Sequence, residues 1–404
     1  MLIKKVNVLL LLLLPFTVKS QYCNNLPELL TLNTGNAVTT IKAWEKHKKE
    51  LKKQFDEEMF GTQPPVPKGV RYKVVHETAT AIGGKASRKR VNLYLNNLDH
   101  PLELLIYYPN GVKKAPAFLG YNFWGNHTVT FETDIPVTAQ WSRNNNIIQD
   151  HKATDKMRGF SASRWPVETI IDAGFALVTL YHGDVDPDFD DAFMNGVHGL
   201  YPRGKYSWGT IAAWAWGLSY VMNYLEKDNR IDAKKVAVVG HSRLGKAALL
   251  AGATDERFAL TISNNSGCGG AALSCRKKGE TIKAINDRFP HWFTANFKKY
   301  NEKDDLMPFD QHQLIALVAP RPVYVASADL DAWADPEGEY LSAFLAGEVY
   351  RLYGLNGLKS DKMPAVHAPL HEGSVGYHIR AGKHDITLYD WQQYIAFATK
   401  RFCL

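Results

Sequence analysis

Cysteine is scarce, with four residues in 404, and no pair or quartet of them has the spacing of a zinc site. A small scaffold stapled by many disulfides is therefore excluded, as is a structural zinc module. The chain lacks a Pro/Gly/Ser-rich linker, an internal repeat and a low-complexity tract, so nothing divides it into separate units. It also lacks a dense Lys/Arg stripe. The formal net charge of +7 comes from 48 basic against 41 acidic residues, which gives no footprint for nucleic acid. The clearest basic cluster, Lys46-His47-Lys48-Lys49 with Lys52-Lys53, alternates with Trp44, Leu51 and Phe55 at helical spacing. It reads as the solvated face of a helix, with Asn36 as a candidate cap. Beyond residue 20 no apolar run approaches the length of a membrane span.

Residues 1–20 have the layout of a secretory leader. Lys4 and Lys5 precede Val8 and the leucines 9–14, a run too short to span a bilayer, and Ser20 offers a small residue at the cut. Tyr22 before Cys23 does not suit a lipoprotein cleavage site. The expectation is a secreted or periplasmic mature chain, 21–404, forming a single catalytic domain and acting as a monomer without a membrane partner. An oxidising compartment makes an even number of cysteines favour disulfides. Cys268 with Cys275, and Cys23 with Cys403, is the simplest of the three connectivities.

The most informative segment is Val236-Ala237-Val238-Val239-Gly240-His241-Ser242-Arg243-Leu244-Gly245-Lys246. Four apolar residues read as a buried strand, and the Ala/Leu-rich run that follows reads as a helix. A serine at the apex of such a strand-to-helix turn is held at the carboxyl end of a sheet, as in a nucleophile elbow. The usual G-x-S-x-G is altered, because Leu244 occupies the second glycine position and Gly245 comes one residue late. Further strands are expected at 102–108, 117–119, 176–180, 259–263 and 323–326. Helices are expected at 167–172, 209–225, 244–254 and 338–352, with another from residue 390. Apolar strands alternating with helices imply an α/β-hydrolase fold, a mostly parallel central sheet covered on both faces in a three-layer sandwich.

A nucleophilic serine needs a base and an acid that orients it, and on this fold they follow in the order Ser, Asp/Glu, His. The strand at 323–326 runs into Asp329, Asp331 and Asp335, which compete for the role of acid. Of the late histidines 367, 371, 378 and 384, His384 stands just before the last helix, where the base belongs. Asp184-Val185-Asp186-Pro187-Asp188-Phe189-Asp190-Asp191 begins like a calcium loop, but Phe189 and Asn195 stand where such a loop needs glycine and glutamate. It reads as an acidic surface loop near the carboxyl end of the sheet. Asn126-His127-Thr128 is a glycosylation sequon, and the segment Gly120-Tyr121-Asn122-Phe123 is a candidate donor of a second oxyanion N–H.

These residues resemble the glucuronoyl esterase family of carbohydrate esterases, in its bacterial form. The resemblance rests on the serine followed by Arg243 with Lys246 four residues on, on Ser266-Gly267-Cys268-Gly269-Gly270 and on Gly279-Glu280-Thr281. It rests equally on Phe289-Pro290-His291-Trp292-Phe293, on Asp310-Gln311-His312-Gln313, on Trp333-Ala334-Asp335-Pro336 and on Gly376-Tyr377-His378-Ile379-Arg380 leading to His384. It implies Ser242 as nucleophile, His384 as base and Arg243 as oxyanion donor. Lys246, Glu280 and Trp333 would bind the uronate, with His291 and Trp292 lining the same pocket. Where many members carry a glutamate as the acid, this chain has Asn264-Asn265, and an amide supplies no charge. Asp331 matches the aspartate of bacterial members, with Asp335 as the alternative. The implied substrate is the ester between (4-O-methyl-)glucuronate side groups of glucuronoxylan and lignin alcohols, cleaved with no metal or cofactor. Another carbohydrate esterase, such as an acetyl esterase, and a non-catalytic binding protein on the same fold are the alternatives. Arg243, Lys246 and Glu280 suit a polyhydroxylated acid better than acetate.

Overall fold

The computed structural model describes Cys23, residues 25–32 and residues 34–404, so the expected leader lies outside the described residues. The strands among them are β1 (Arg71–Ala81), β2 (Ala86–Tyr94), β3 (Leu102–Pro109), β4 (Ala115–Asn122), β5 (Ala176–Tyr181), β6 (Ile231–His241), β7 (Leu260–Asn264), β8 (Val323–Ala328) and β9 (Val375–Arg380). They form one sheet in the order β1-β2-β3-β5-β4-β6-β7-β8-β9. From β5 across to β9 every pairing is parallel, whereas β1, β2 and β3 are antiparallel to their neighbours. The parallel strands are apolar because both of their faces are covered. All eight residues of β4 and all six of β5 and β8 are buried.

The helices are α1 (Ile41–Phe55), α2 (Val167–Asp172), α3 (Thr210–Leu225), α4 (Arg243–Thr254), α5 (Ile282–Arg288), α6 (Gln311–Ala316), α7 (Pro336–Leu352) and α8 (Leu388–Phe402). Val236 and Val238 point into one core with α1, α3, α4, α6 and α7, while Ala237 and Val239 point into a second core closed by α2 and α8. The period-2 alternation of β6 thus feeds two helical layers at once. Every residue of α3 is buried, which is why its sequence lacks a polar stripe. This is the three-layer fold the sequence implied. Each expected strand and helix is present, generally one to several residues longer than its apolar run.

Several local expectations are overturned. Helix α1 is capped by Thr40, whose hydroxyl accepts the Ala43 N–H at 3.2 Å, and not by Asn36. Thr40 lies one residue before the helix, where a side-chain oxygen reaches the first orphan donors, and Asn36 lies outside that reach. His47, counted with the basic face, is buried beside Trp44. The sequon residue Asn126 is also buried. Its amide donates to the Glu103 carbonyl at 2.8 Å and accepts from Asn122 at 2.8 Å, so a glycan there would require the loop to open.

The disulfide is Cys23–Cys275, with a Cα separation of 5.9 Å, and Cys268 and Cys403 are free thiols. The pairings 268–275 and 23–403 are therefore both wrong. Two contacts from α6 bring the N-terminal segment to Cys275: His312 Nε2 meets the Pro27 carbonyl at 3.0 Å, and Gln313 Nε2 donates to the Glu28 carbonyl at 3.3 Å. Cys275 is turned toward that segment by the Asp310 carboxylate, which accepts the N–H groups of Ser274 and Cys275. Cys268 instead packs into the core, where burial pushes its thiol up. Non-reducing peptide mapping should recover the 23–275 pair. Alkylation should modify exposed Cys403 in the native protein and Cys268 only after unfolding. Cys275→Ser should lower stability by about 2–4 kcal/mol, read as a fall in thermal midpoint, because the bridge closes a long loop.

Candidate active site

The elbow forms because β6 is stiff and apolar up to Val239 and the chain then has to reverse into α4 within one residue. Ser242 is that residue, at φ 58° and ψ −129°, a conformation that a non-glycine side chain adopts only under constraint. Gly240 makes the reversal possible, since a Cβ there would lie 2.0 Å from the Leu244 carbonyl oxygen. The departure at Leu244 has a simple cause. Its side chain is buried in the core, and Gly245 is the residue whose Cα faces the Gly240 carbonyl and Ser266. The serine hydroxyl is thus carried at the positive end of α4, beside first-turn N–H groups that have no intrahelical partner.

His384 lies in the loop after β9 and lines the same cleft as Ser242. Its Nδ1 stands 2.6 Å from Asp331 Oδ2, which also accepts from Asn265 Nδ2 at 2.8 Å. Burial alone would raise the Asp331 carboxyl, but the hydrogen bond and charge of His384, together with Asn265, hold it below its usual range. An ionised Asp331 is an acceptor and so favours the imidazole tautomer that carries its proton on Nδ1. The competing aspartates are occupied elsewhere. Asp329 accepts the Gly382 N–H at 2.8 Å, and Asp335 is paired with Arg276 at 2.8 Å. Of the other late histidines, His371 and His378 both meet the Tyr324 hydroxyl, and His367 accepts the Ala381 N–H.

Asp188 organises the opposite wall. Its carboxylate accepts from Trp292 Nε1 at 2.8 Å, His291 Nε2 at 3.0 Å, Arg143 Nη2 at 3.0 Å and Arg243 Nη1 at 3.2 Å. Burial would raise this acid, yet the charge of Arg243, the His291 bond and the charge of Arg143 outweigh it and hold the group far below the carboxylate range. The Arg243 guanidinium is further held between the faces of Phe123, at 5.2 Å, and Trp292, at 5.5 Å. Two expectations are corrected here. The stretch from Asp184 to Asp188 is not a surface loop, because Asp184, Asp186 and Asp188 are all buried and each is satisfied by donors from neighbouring segments. His291 does not line the cleft, because its bond to Asp188 holds it behind the wall, while Trp292 does line it.

Lys246, one helical turn beyond Ser242, is buried with its ammonium on the Ser266 and Cys268 carbonyls and 3.7 Å from Glu280. Lys246, Glu280 and a half-exposed Trp333 all line the cleft, whose volume is about 330 Å³. The cleft can therefore offer a hydroxyl, an imidazole, three cations (Arg243, Lys246 and Arg288) and the Glu280 carboxylate to one small ligand. Its remaining walls come from the segment Asn265-Ser266-Gly267, together with Arg288 and Phe289. That segment rests on a residue the sequence did not flag. Glu339 accepts the N–H groups of Ser266 at 2.7 Å and Gly267 at 3.0 Å and the Ser327 hydroxyl at 2.6 Å, and burial pushes its carboxyl up to about 8.

Asp188 itself escaped the sequence reading, although the run of alternating aspartates at the end of β5 was the signal that could have found it. Asp188→Ala would leave two guanidinium groups without their shared counter-charge, so a loss of about 3–5 kcal/mol is expected in denaturant unfolding. Because the folded carboxyl titrates below its unfolded value, near 3.9, that contribution is complete above this pH. The gap between the two proteins should stay constant through neutrality and close only as pH falls through the lower folded value.

A family model described as "Glucuronyl esterase, fungi" matches residues 124–354. Carbohydrate esterase MZ0003, from an unknown prokaryotic organism, is 48% identical over 92% of this chain and 88% of its own length. The solved glucuronoyl esterase from Solibacter usitatus superposes with a TM-score of 0.88 at 45% identity, covering 93% of this chain and 98% of that one. A 4-O-methyl-glucuronoyl methylesterase of Podospora anserina is 26% identical over 77% of this chain and 56% of its own.

Proposed function

We propose that this chain, which belongs to the glucuronoyl esterase family, is an exported serine esterase cleaving the ester between (4-O-methyl-)glucuronate side groups of glucuronoxylan and alcohols of lignin. Ser242 attacks the ester carbonyl as His384 Nε2 takes its proton, and Asp331 balances the imidazolium that forms. The tetrahedral oxyanion rests against the backbone N–H of Arg243 and its guanidinium. Donors already fixed in place by Asp188, Phe123 and Trp292 need no reorganisation as charge develops. His384 returns the proton to the departing alcohol. Water, activated by the same imidazole, then releases the glucuronate and restores the serine. Lys246 and Glu280 hold the ring hydroxyls, and Trp333 covers an open side of the ring.

The observation that carries this reading is the meeting of Ser242 and the Asp331-bound His384 in one cleft with Arg243, Lys246 and Glu280. An acetate offers no hydroxyls for the last two, so they would stay unrewarded in an acetyl esterase. Export is supported by the Cys23–Cys275 disulfide and by the charge-then-leucine pattern of residues 1–20. The deciding measurement compares benzyl glucuronate with acetylated xylan. The ratio of kcat/KM should favour the glucuronate ester by about 100-fold or more, the scale on which buried polar groups reject a ligand that cannot pair with them. Preferential release of acetate would overturn the assignment.

A further inference from the structure

A second cleft lies away from Ser242, at the antiparallel flank of the sheet, with a volume of about 530 Å³. Its floor is Tyr220, which is stacked on Trp216 at 5.9 Å and donates its hydroxyl to the Tyr94 carbonyl at 2.9 Å. Tyr94 and Tyr201 form half-buried walls, the second braced edge-on by Trp216 and Tyr206. Exposed Arg71, Asn96 and Lys227 stand at the rim, and among the described residues no carboxylate lines the cleft. Arg71 is held by the face of Tyr94, 5.7 Å from its guanidinium.

The cleft lies along α3 from the active site, because the helix starts where the Thr210 and Ile211 N–H groups donate to the His291 and Trp292 carbonyls and Tyr220 stands roughly 15 Å further along its axis. Within the sheet, Arg71 pairs with Tyr94, Leu93 with Leu102, and Leu105 with Thr179, which ties the cleft's strands to the parallel ones through β3 and β5. From β6 to β2 there are four strand spacings, roughly 19 Å. We infer that this cleft is a second glycan site, which takes a stretch of the acidic xylan backbone while a glucuronate ester of the same polymer occupies the cleft of Ser242. Rigid tyrosine faces suit the C–H faces of pyranose rings at little cost in side-chain freedom, and the two rim cations suit neighbouring uronate carboxylates. The inference rests on the proposed function for the identity of the polymer, but not for its test.

Affinity electrophoresis through gels containing de-esterified glucuronoxylan reads binding without turnover. The parent protein should be retarded, and more strongly than in gels of uncharged arabinoxylan. Arg71→Glu combined with Lys227→Glu changes only exposed side chains and should weaken the retardation about 3-fold or more, with Tyr94→Ala doing the same through the ring. Hydrolysis of benzyl glucuronate, which is too small to reach both clefts, should stay within about 2-fold of the parent. Equal retardation of parent and charge-reversed proteins, or none of the parent, would overturn the second site. Equal retardation in the uncharged gel would overturn its preference for acidic chains. Failure of the parent to hydrolyse benzyl glucuronate would count against the proposed function instead, and the electrophoretic test of the second site would stand unchanged.

Discussion

Ser242→Ala should lower turnover of a glucuronate ester by about three to six orders of magnitude, because nucleophile, base and acid act as a unit and no other member substitutes for the hydroxyl. Alanine keeps the Cβ and tolerates the elbow about as well as serine does. The turn is fixed by Ser242 N–H to the Asn264 carbonyl at 2.9 Å and by Gly245 N–H to the Ser242 carbonyl at 2.9 Å, and neither bond uses the side chain. The variant should therefore fold, bind substrate and keep its stability within about 1 kcal/mol of the parent. A fluorophosphonate probe should label the parent once, at Ser242, and leave the variant unlabelled. More than about a tenth of parental turnover in the variant would mean that the chemistry happens elsewhere.

That the elbow could be found in the sequence, while other parts of the fold could not, has a physical basis. The second half of β6, with β7 and β8, is buried on both faces and shows as apolar runs with β-branched residues, bounded by turns. β1 carries no such signal. It is an edge strand, largely exposed along its length, with charged and hydroxyl side chains that water accommodates. β9 is wholly buried yet contains Gly376, His378 and Arg380. Its polarity is answered out of sequence by Asp390 of α8, which receives His378 at 2.9 Å and Arg380 at 2.8 Å. A buried polar strand reads as a loop until its partner is known.

The same limit governs the site. Ser242, His384 and Arg243 stand in local contexts that already say what they can do. Asp188 and Glu339 do not, because each acts only through groups far along the chain: Asp188 holds Arg243 and Trp292, and Glu339 holds the Ser266-Gly267 turn from 72 and more residues away. The disulfide failed for a related reason. Spacing favours the short loop between Cys268 and Cys275, but pairing follows where side chains point, and α6 docks the N-terminal segment at Cys275.

Asp331, the aspartate that the resemblance favours over Asp335, sets the second large effect. Asp331→Asn should keep the fold and reduce turnover by up to about four orders of magnitude. In the parent, both Asn265 Nδ2 and His384 Nδ1 converge on one oxygen, Asp331 Oδ2. An amide at that position cannot satisfy both donors with the same strength. If it turns its NH2 toward His384, the imidazole shifts to the tautomer with Nε2 protonated and loses its basic nitrogen on the serine side. If it keeps its oxygen there, the negative charge that balances the imidazolium is still gone. Asn265→Ala removes one of the two donors and leaves the charge in place, so it should cost about 10-fold or less. Asp335→Asn weakens the ion pair with Arg276 and should appear in the thermal midpoint while turnover stays within a few-fold. The three variants measured together separate the possibilities. Near-normal turnover in Asp331→Asn with collapse in Asp335→Asn would move the acid to Asp335, and collapse confined to Asn265→Ala would place the balancing interaction at the end of β7.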